Sequence, residues 1–137
     1  MNGKSFRLTY KQDIMETKNS DSIVIIPTYN EKENIGKIIR AVADLDKVFH
    51  ILVIDDGSPD GTAAIVRSLM EGEFAGRLFM VERAGKLGLG TAYIAGFKWA
   101  LAHGYGYVFE MDADFSHDPK DLPRLYSACA GEGYDVA

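Results

Sequence analysis

Short apolar runs alternate with amphipathic stretches along this chain from Ser22 onward. Ile23-Val24-Ile25-Ile26 is β-branched throughout and ends at Pro27. Ile51-Leu52-Val53-Ile54 ends at Asp55-Asp56-Gly57, Arg77–Val81 is a plausible third run, and Tyr107–Met111 ends at Asp112-Ala113-Asp114. A run as short and as uniformly apolar as the first suits a strand buried on both faces of a sheet. Between them the apolar spacing becomes helical. Ile35, Ile38, Ile39, Val42 and Leu45 form one stripe, and Ile65, Val66, Leu69 and Met70 form a second. Ile94, Phe97 and Leu101 mark one side of a third helix that ends near Gly104, and Pro119 and Pro123 lead into a last helix through about Cys129. Asn30 and Glu33 have capping-box spacing for the first helix, and Asp60 can cap the second. Strands joined by helices require crossover connections, which predicts an α/β fold with a mostly parallel central sheet between two helical layers.

At 137 residues the chain has room for one domain. Hydrophobic residues make up 47% and charged residues 26%, a globular balance that excludes a disordered or fibrous chain. The 15 Lys and Arg against 20 Asp and Glu give a net charge of −5, which argues against nucleic acid as a partner. The single cysteine, Cys129, permits neither an internal disulfide nor a multi-cysteine zinc site. No apolar run approaches the ~20 residues that span a bilayer, and Met1–Ser20 lacks the apolar core of a signal peptide. A reducing, cytoplasmic setting is therefore expected. Residues 1–20 carry a local charge of +2 and read as a polar tail or leader, with peripheral contact to an anionic membrane as a minor alternative. Residues 21–137 read as the folded domain. Tyr134–Ala137 begins another apolar stretch, so the sheet is expected to be truncated at its C-terminal end.

In parallel α/β sheets, ligands bind beyond the carboxyl ends of the strands. Three of the four runs end there in acidic or otherwise specialised residues: Pro27-Thr28-Tyr29-Asn30-Glu31, Asp55-Asp56-Gly57-Ser58 and Asp112-Ala113-Asp114. Carboxylates gathered at one rim repel one another, so a purely structural sheet has no use for them. In an extended segment Asp112 and Asp114 would point the same way, with Ser116 continuing the alternation. Such a pair suits a hard cation, Mg2+ or Mn2+, that shares its shell with substrate phosphates. Taken alone, an Asp-x-Asp is as readily two loop acids facing water. An acid at Asp55 or Asp56 can accept from ribose or base groups, or simply start a turn with Gly57, Ser58 and Pro59. Tyr29 offers a flat face to a base, or is a half-buried core aromatic. Gly85, Gly88 and Gly90 allow a close phosphate approach before a helix, where Arg83 or Lys86 could balance charge or lie in solvent. The segment is neither a Walker loop nor a G-x-G-x-x-G fingerprint. His50, His103 and His117 suggest no zinc cluster, although His117 falls near the acids. Ser58 lacks a triad context, and Trp99 is expected to pack on the sheet.

Four segments occur in a telling order: Ile-Pro-Thr-Tyr-Asn-Glu at 26–31, Asp-Asp-Gly-Ser-Pro-Asp-Gly-Thr at 55–62, Leu-Gly-Leu-Gly-Thr-Ala-Tyr at 87–93, and Met-Asp-Ala-Asp-Phe-Ser-His-Asp-Pro at 111–119. Together they resemble the family 2 glycosyltransferases, and within them the dolichyl-phosphate (polyprenyl-phosphate) mannosyltransferases. The likeness runs from about Ser22 to Ala137. It implies a GT-A, Rossmann-like fold and an inverting transfer of mannose from GDP-mannose to a dolichyl or polyprenyl phosphate. Matched by position, Pro27, Tyr29, Glu31, Ile54 and Asp56 would contact the nucleotide. Asp112, Ala113 and Asp114 would form the diphosphate site, with Asp112 and Asp114 as the metal-binding, catalytic pair for magnesium or manganese.

The later part of that family's domain, which supplies basic residues and most of the acceptor site, has no counterpart before Ala137. The expectation is a donor-binding portion, inactive alone, working at the cytoplasmic face of a membrane. A family 2 enzyme using UDP-glucose or another donor, and a non-catalytic nucleotide-sugar-binding fragment, are the alternatives. A phospho-acceptor receiver domain is disfavoured, because its acid pair would follow the first strand and not the second and fourth.

Overall fold

The computed structural model describes residues 20–85 and 87–132. The expected tail, Lys86 and the stretch from Tyr134 lie outside the described residues. The elements are β1 (Ser22–Thr28), α1 (Ile35–Ala43), β2 (His50–Asp55), α2 (Thr62–Glu71), β3 (Leu78–Glu82), α3 (Leu89–Ala102), β4 (Tyr107–Glu110), a 3-10 turn at Pro119–Asp121 and α4 (Leu122–Glu132). The four strands form one parallel sheet in the order β3-β2-β1-β4.

Side chains alternate across the sheet, and each strand feeds two cores. Val24, Ile26, Ile51 and Val53 face α1 and α2 and meet Ile35, Ile38, Ile39, Val42 and Val66, with Leu122 of α4 on the same side. Ile23, Ile25, Leu52 and Ile54 face α3, where they meet Ala92 and Ala100. Three layers result, as the period of the sequence predicts. The chain steps outward from β1 to β2 to β3, then α3 carries it back over the opposite face to β4. That reversal places a topological switch point between β1 and β4.

Pro27 sits in β1, a central strand, where a missing N–H would ordinarily cost a ladder bond. Here it costs none. The β1–β4 pairing ends at Ile25 opposite Glu110, and the last bond on that side runs from the Met111 N–H to the Ile25 carbonyl, 3.0 Å. Pro27, two residues on, faces the same side, where β4 has already departed. On the other side β1 remains paired with β2 through Thr28 and Asp55. The two strands therefore diverge at the carboxyl edge and leave a cleft.

One local expectation is corrected. Asn30 and Glu33 form no capping box: Asn30 takes φ 57°, and α1 begins only at Ile35, after Asn34. The intervening N–H groups are engaged elsewhere. Those of Asn30, Glu31 and Lys32 donate to Ser58 Oγ, Thr62 Oγ1 and Asp60 Oδ2 at 2.9, 3.0 and 3.1 Å, which stitches the β1–α1 loop to the β2–α2 loop. Asp60 also accepts from the Thr62 N–H at 3.0 Å, so it does cap α2, from one residue before the N-cap Gly61.

On the opposite face of the sheet lies α3. Its large apolar residues, Ile94, Phe97 and Leu101, point outward, and the face on the sheet is Ala92, Gly96 and Ala100. Small residues are needed because α3 lies close over β1: a Cβ at Gly96 would fall 2.6 Å from Ile25 Cγ2, with two more Ile25 atoms within 3.1 Å. Ile25 is fully buried and has no space to yield. Gly96→Ala is accordingly expected to destabilise the fold by about 1–2 kcal/mol, overpacking outweighing the helix-propensity gain. Gly90→Ala, with open space around its Cβ, should be neutral or stabilising. Urea unfolding of both variants checks the pair, and equal stability of the two would refute close packing at Gly96.

Candidate active site

The cleft between β1 and β4 holds a cavity of about 290 Å³. Pro27, Thr28, Tyr29 and Glu31 line it from the end of β1, Asp56 from the end of β2, Asp112, Ala113 and Asp114 from the end of β4, and Gly88, Leu89 and Ala92 from the start of α3. Seven of the eight residues singled out from the sequence are thus brought to one cavity. The eighth, Ile54, is fully buried in β2, packed into the core beneath α3, and is not among the lining residues.

The two acids that end β2 divide their work. Asp55 is buried and structural. Its carboxylate accepts from Thr28 Oγ1 at 2.7 Å and from the Ser58 hydroxyl and N–H at 2.7 and 3.0 Å, which holds the turn in shape. Asp56 faces the cavity. Arg83, at the end of β3, grips it through two donors, Nε at 2.6 Å and Nη2 at 2.9 Å. Both partners are largely out of solvent, at 8% and 12% side-chain exposure, so the pair is a desolvated, bidentate one. Arg83 also donates to Thr91 Oγ1 at 3.1 Å, and the Leu87 N–H approaches Asp56 at 3.4 Å. Asp56 is therefore the point to which the segment before α3 is moored. The sequence singles out Arg83 only as a loop cation; its register beside Asp55, where the Arg83 N–H donates to the Asp55 carbonyl at 2.7 Å, places it against Asp56.

Asp112 and Asp114 reach the same cavity from a turn. β4 ends at Glu110 and the backbone turns at Ala113 and Asp114, contrary to the alternation argument, and Phe115 adopts φ 63°. Ser116 supplies the order instead. Its N–H donates to Asp114 Oδ1 at 2.9 Å and its hydroxyl to Asp112 Oδ2 at 3.4 Å. Hydrogen bonding from Ser116, side chain first and backbone next, holds the Asp114 carboxyl below its ordinary range and so favours the carboxylate. The other oxygen of Asp112 accepts from Tyr93 Oη at 2.8 Å. Burial, and then the hydrogen bond to Asp112, pushes the Tyr93 phenol well above its ordinary value, so Tyr93 remains a donor. Sequence reasoning did not single out Tyr93. The signal for it is helical: it lies one turn after Leu89 and beside Ala92, both cavity-lining. His117 lies close as expected, with the Asp112 N–H directed at its Nδ1 at 3.5 Å.

Among the described residues no group of three or more His, Cys, Asp or Glu side chains converges as a metal cage. The donor set on offer is two carboxylates, hard oxygen ligands on one wall of a cavity. That set fits a divalent ion which completes its shell with water and a ligand's phosphates; it does not fit a soft or fully protein-caged metal.

A parallel sheet with its cavity at the switch point, acids on both sides and a glycine-rich helix start make up an α/β domain of the GT-A type. A family model described as "Glycosyl transferase family 2" matches residues 23–137, and the chain belongs to that family. It is 48% identical over 116 residues to the polyprenol monophosphomannose synthase of Mycolicibacterium smegmatis, an alignment covering 85% of this chain and 43% of the relative. It is 44% identical over 108 residues to the undecaprenyl-phosphate mannosyltransferase of Micrococcus luteus, covering 77% and 43%. The chain thus spans less than half the length of these curated relatives. Among solved structures, the mannosyltransferase PcManGT from Pyrobaculum calidifontis, in complex with GDP-Man and Mn2+, superposes with a TM-score of 0.64 at 23% identity, covering 90% of this chain and 39% of that one. S. aureus TarS 1-349 superposes at 0.66 and 23% identity, covering 81% and 32%. At that identity the two structures speak to the fold.

The Arg83–Asp56 pair predicts a double-mutant cycle. Arg83→Met leaves a desolvated carboxylate unpaired and should destabilise by about 2–3 kcal/mol. Adding Asp56→Asn removes that charge and should recover more than ~1 kcal/mol of the loss. Thermal or urea unfolding reads both, and additive effects would show that the pair is solvated and weak.

Proposed function

We propose that this chain is the donor-binding portion of an inverting glycosyltransferase that transfers mannose from GDP-mannose to a polyprenyl or dolichyl phosphate. The observation that carries this reading is a single cavity with two ion-competent carboxylates on one wall and Tyr29, Glu31 and Asp56 on the other. A sugar nucleotide needs both walls at once: acceptors and a flat ring for the nucleoside, and charge compensation for the diphosphate. The relatives at 44–48% identity, named for polyprenol and undecaprenyl phosphate mannose transfer, support the choice of donor sugar and acceptor class.

In this reading Tyr29 stacks on the base, and Pro27 and Glu31 shape the nucleoside end. Asp56 accepts from the nucleoside, with Ile54 supporting it from the core beneath. Asp112 and Asp114, with Ala113 between them, hold the diphosphate end. Mg2+ or Mn2+ held by Asp112 and Asp114 would supply Lewis-acid compensation for the charge that develops on the leaving nucleoside diphosphate. The chain's own residues prepare for that charge. Tyr93 and Ser116 donate to the two oxygens of Asp112, and the Ser116 N–H to one oxygen of Asp114, so the acids keep one orientation. The acceptor phosphate oxygen is already anionic and needs little general-base help. In-line attack at the anomeric carbon from the face opposite the diphosphate would then invert its configuration.

Thermal shift with nucleotide and metal tests this. GDP with Mn2+ at about 100 times its Kd should stabilise the protein by ~2.7 kcal/mol, a rise of several degrees. The metal-dependent part should vanish in the Asp112→Asn, Asp114→Asn variant. A larger shift with UDP than with GDP would replace the donor assignment, and a metal-independent shift unaffected by the double variant would overturn the role of the acid pair.

A further inference from the structure

The turn that carries Asp112 and Asp114 is weakly held by its own backbone. β4 ends at Glu110, the last bond to β1 runs from the Met111 N–H to the Ile25 carbonyl, and the Asp112 N–H is directed at His117 Nδ1 from 3.5 Å. Ser116 lies within the turn, so its bonds order the two acids relative to each other and fix neither against the rest of the protein. A carboxylate on such a turn is free to rotate, and that freedom is lost when it holds an ion. An anchor from outside the turn removes the freedom beforehand. Among the described residues, the hydrogen-bond donor that reaches Asp112 from another element is Tyr93 of α3, at 2.8 Å.

Tyr93 suits that task because of where it is rooted. Its neighbour Ala92 is buried against the sheet and lines the cavity. Its own ring is half-buried and packs on the cluster that contains Ile23, Ile25, Leu52 and Ile54. In the following turn, Gly96 sets the height of α3 over Ile25. The hydroxyl is therefore carried on a rigid element, the kind that holds a site group to within a fraction of an ångström. Its bond is also the better of the two that Asp112 accepts from side chains. Tyr93 Oη meets Oδ1 at 2.8 Å in a part-buried setting, whereas Ser116 Oγ meets Oδ2 at 3.4 Å in an exposed one. The phenol takes one lone pair of Oδ1 and leaves the other free for a ligand.

We propose that Tyr93 is a positioning residue for the divalent-ion site: its hydroxyl holds the Asp112 carboxylate, across the cleft, in the orientation that lets Asp112 and Asp114 present oxygens to one ion. This inference rests on the proposed function, which takes Asp112 and Asp114 as the pair that holds Mg2+ or Mn2+. It deepens that reading by making α3, a helix with no carboxylate of its own, part of the ion site. Removing an outer-shell donor of this kind typically lowers metal affinity by about 10–100-fold. The rival role for the same hydroxyl is to block an oxygen that the ion would otherwise use. That role predicts the opposite sign, a gain in metal affinity when the hydroxyl is removed.

Calorimetric titration of the chain with GDP, once in EDTA and once in saturating Mn2+, gives the metal-dependent gain in affinity as a ratio of two Kd values. Tyr93→Phe keeps the ring and removes only the hydroxyl. In this variant the gain should fall at least about 10-fold, while GDP binding in EDTA and far-UV circular dichroism stay as in the wild type. The EDTA titration is the readout that a merely structural role would move, because a displaced α3 would carry Leu89 and Ala92 out of the cavity wall. In an Asp112→Asn background, Tyr93→Phe should reduce the gain no further, since the two changes act through one carboxylate. The proposal is overturned if Tyr93→Phe leaves the wild-type gain intact or raises it. It is equally overturned if GDP binding weakens as much in EDTA as in Mn2+, or if the two substitutions lower the gain independently. A wild-type chain that shows no metal-dependent gain would remove the ion site itself, taking this inference with it. A wild-type gain that Tyr93→Phe does not change would remove this inference alone.

Discussion

The divergence of β1 from β4 is the constraint on which the site depends. Had the two strands stayed paired to their ends, residues 27–31 and 112–114 would be locked in a ladder and no cavity could form between them. A proline two residues past the last bond makes further pairing on that side impossible, since it has no N–H to give. The cost is nil because β4 has already ended. Pairing with β2 continues on the other edge, so the strand is held firmly up to the point where it opens. The reversal of chain direction across the sheet brings the two halves of the cavity together, and Pro27 keeps them apart.

An opening lined by Asp56, Asp112 and Asp114 would be unfavourable if the charges were left to repel each other. Two different solutions operate. Asp56 is neutralised within the protein by Arg83, whose planar guanidinium takes both carboxylate oxygens and, by also reaching Thr91, ties the start of α3 to the end of β2. Among the described residues the hydrogen-bond donors to the Asp112 and Asp114 side chains are neutral, Tyr93 and Ser116, which orient the carboxylates without cancelling their charge. One side of the cavity is electrostatically settled and the other is left wanting a cation. That asymmetry follows from the donor types alone, and it distinguishes the nucleoside side from the diphosphate side in the proposed reading.

The parallel sheet, its two helical layers and the carboxyl-edge location of the acids were legible in the sequence, because short unbroken apolar runs and a period of 3.6 leave different marks. Four runs such as Ile51–Ile54 have no other comfortable fate. Local chemistry was legible less evenly. The string from Asp55 to Thr62 reads as a turn or as a binding motif, and it is both: Asp55, Ser58, Asp60 and Thr62 turn and stitch the loops, leaving Asp56 for the cavity. Asn30 has the residue type and spacing of a cap, yet its neighbours' N–H groups find partners 28 to 31 residues away. Such long-range hydrogen bonds are invisible to any local rule. Tyr93 was missed for the same reason, since its partner Asp112 lies 19 residues on and across the cleft.

The helix α3 shows why an apolar stripe does not by itself reveal a buried face. Helical periodicity identifies a set of residues on one side; it says nothing about whether that side meets the sheet. What decides is the distance available. Over β1, where Ile25 rises toward the helix axis, only alanine and glycine allow contact, and the hydrophobic term is collected by Ile23, Ile25, Leu52 and Ile54 from below, with no large side chain needed from above. Small residues at positions 92, 96 and 100 repeat every four residues and constitute a second stripe, as periodic as the large one and diametrically opposed to it. Where a sequence carries both, close packing assigns the small stripe to the core and releases the large one to the surface. The same spacing at Gly96 that brings α3 down onto the sheet thus turns Ile94, Phe97 and Leu101 outward.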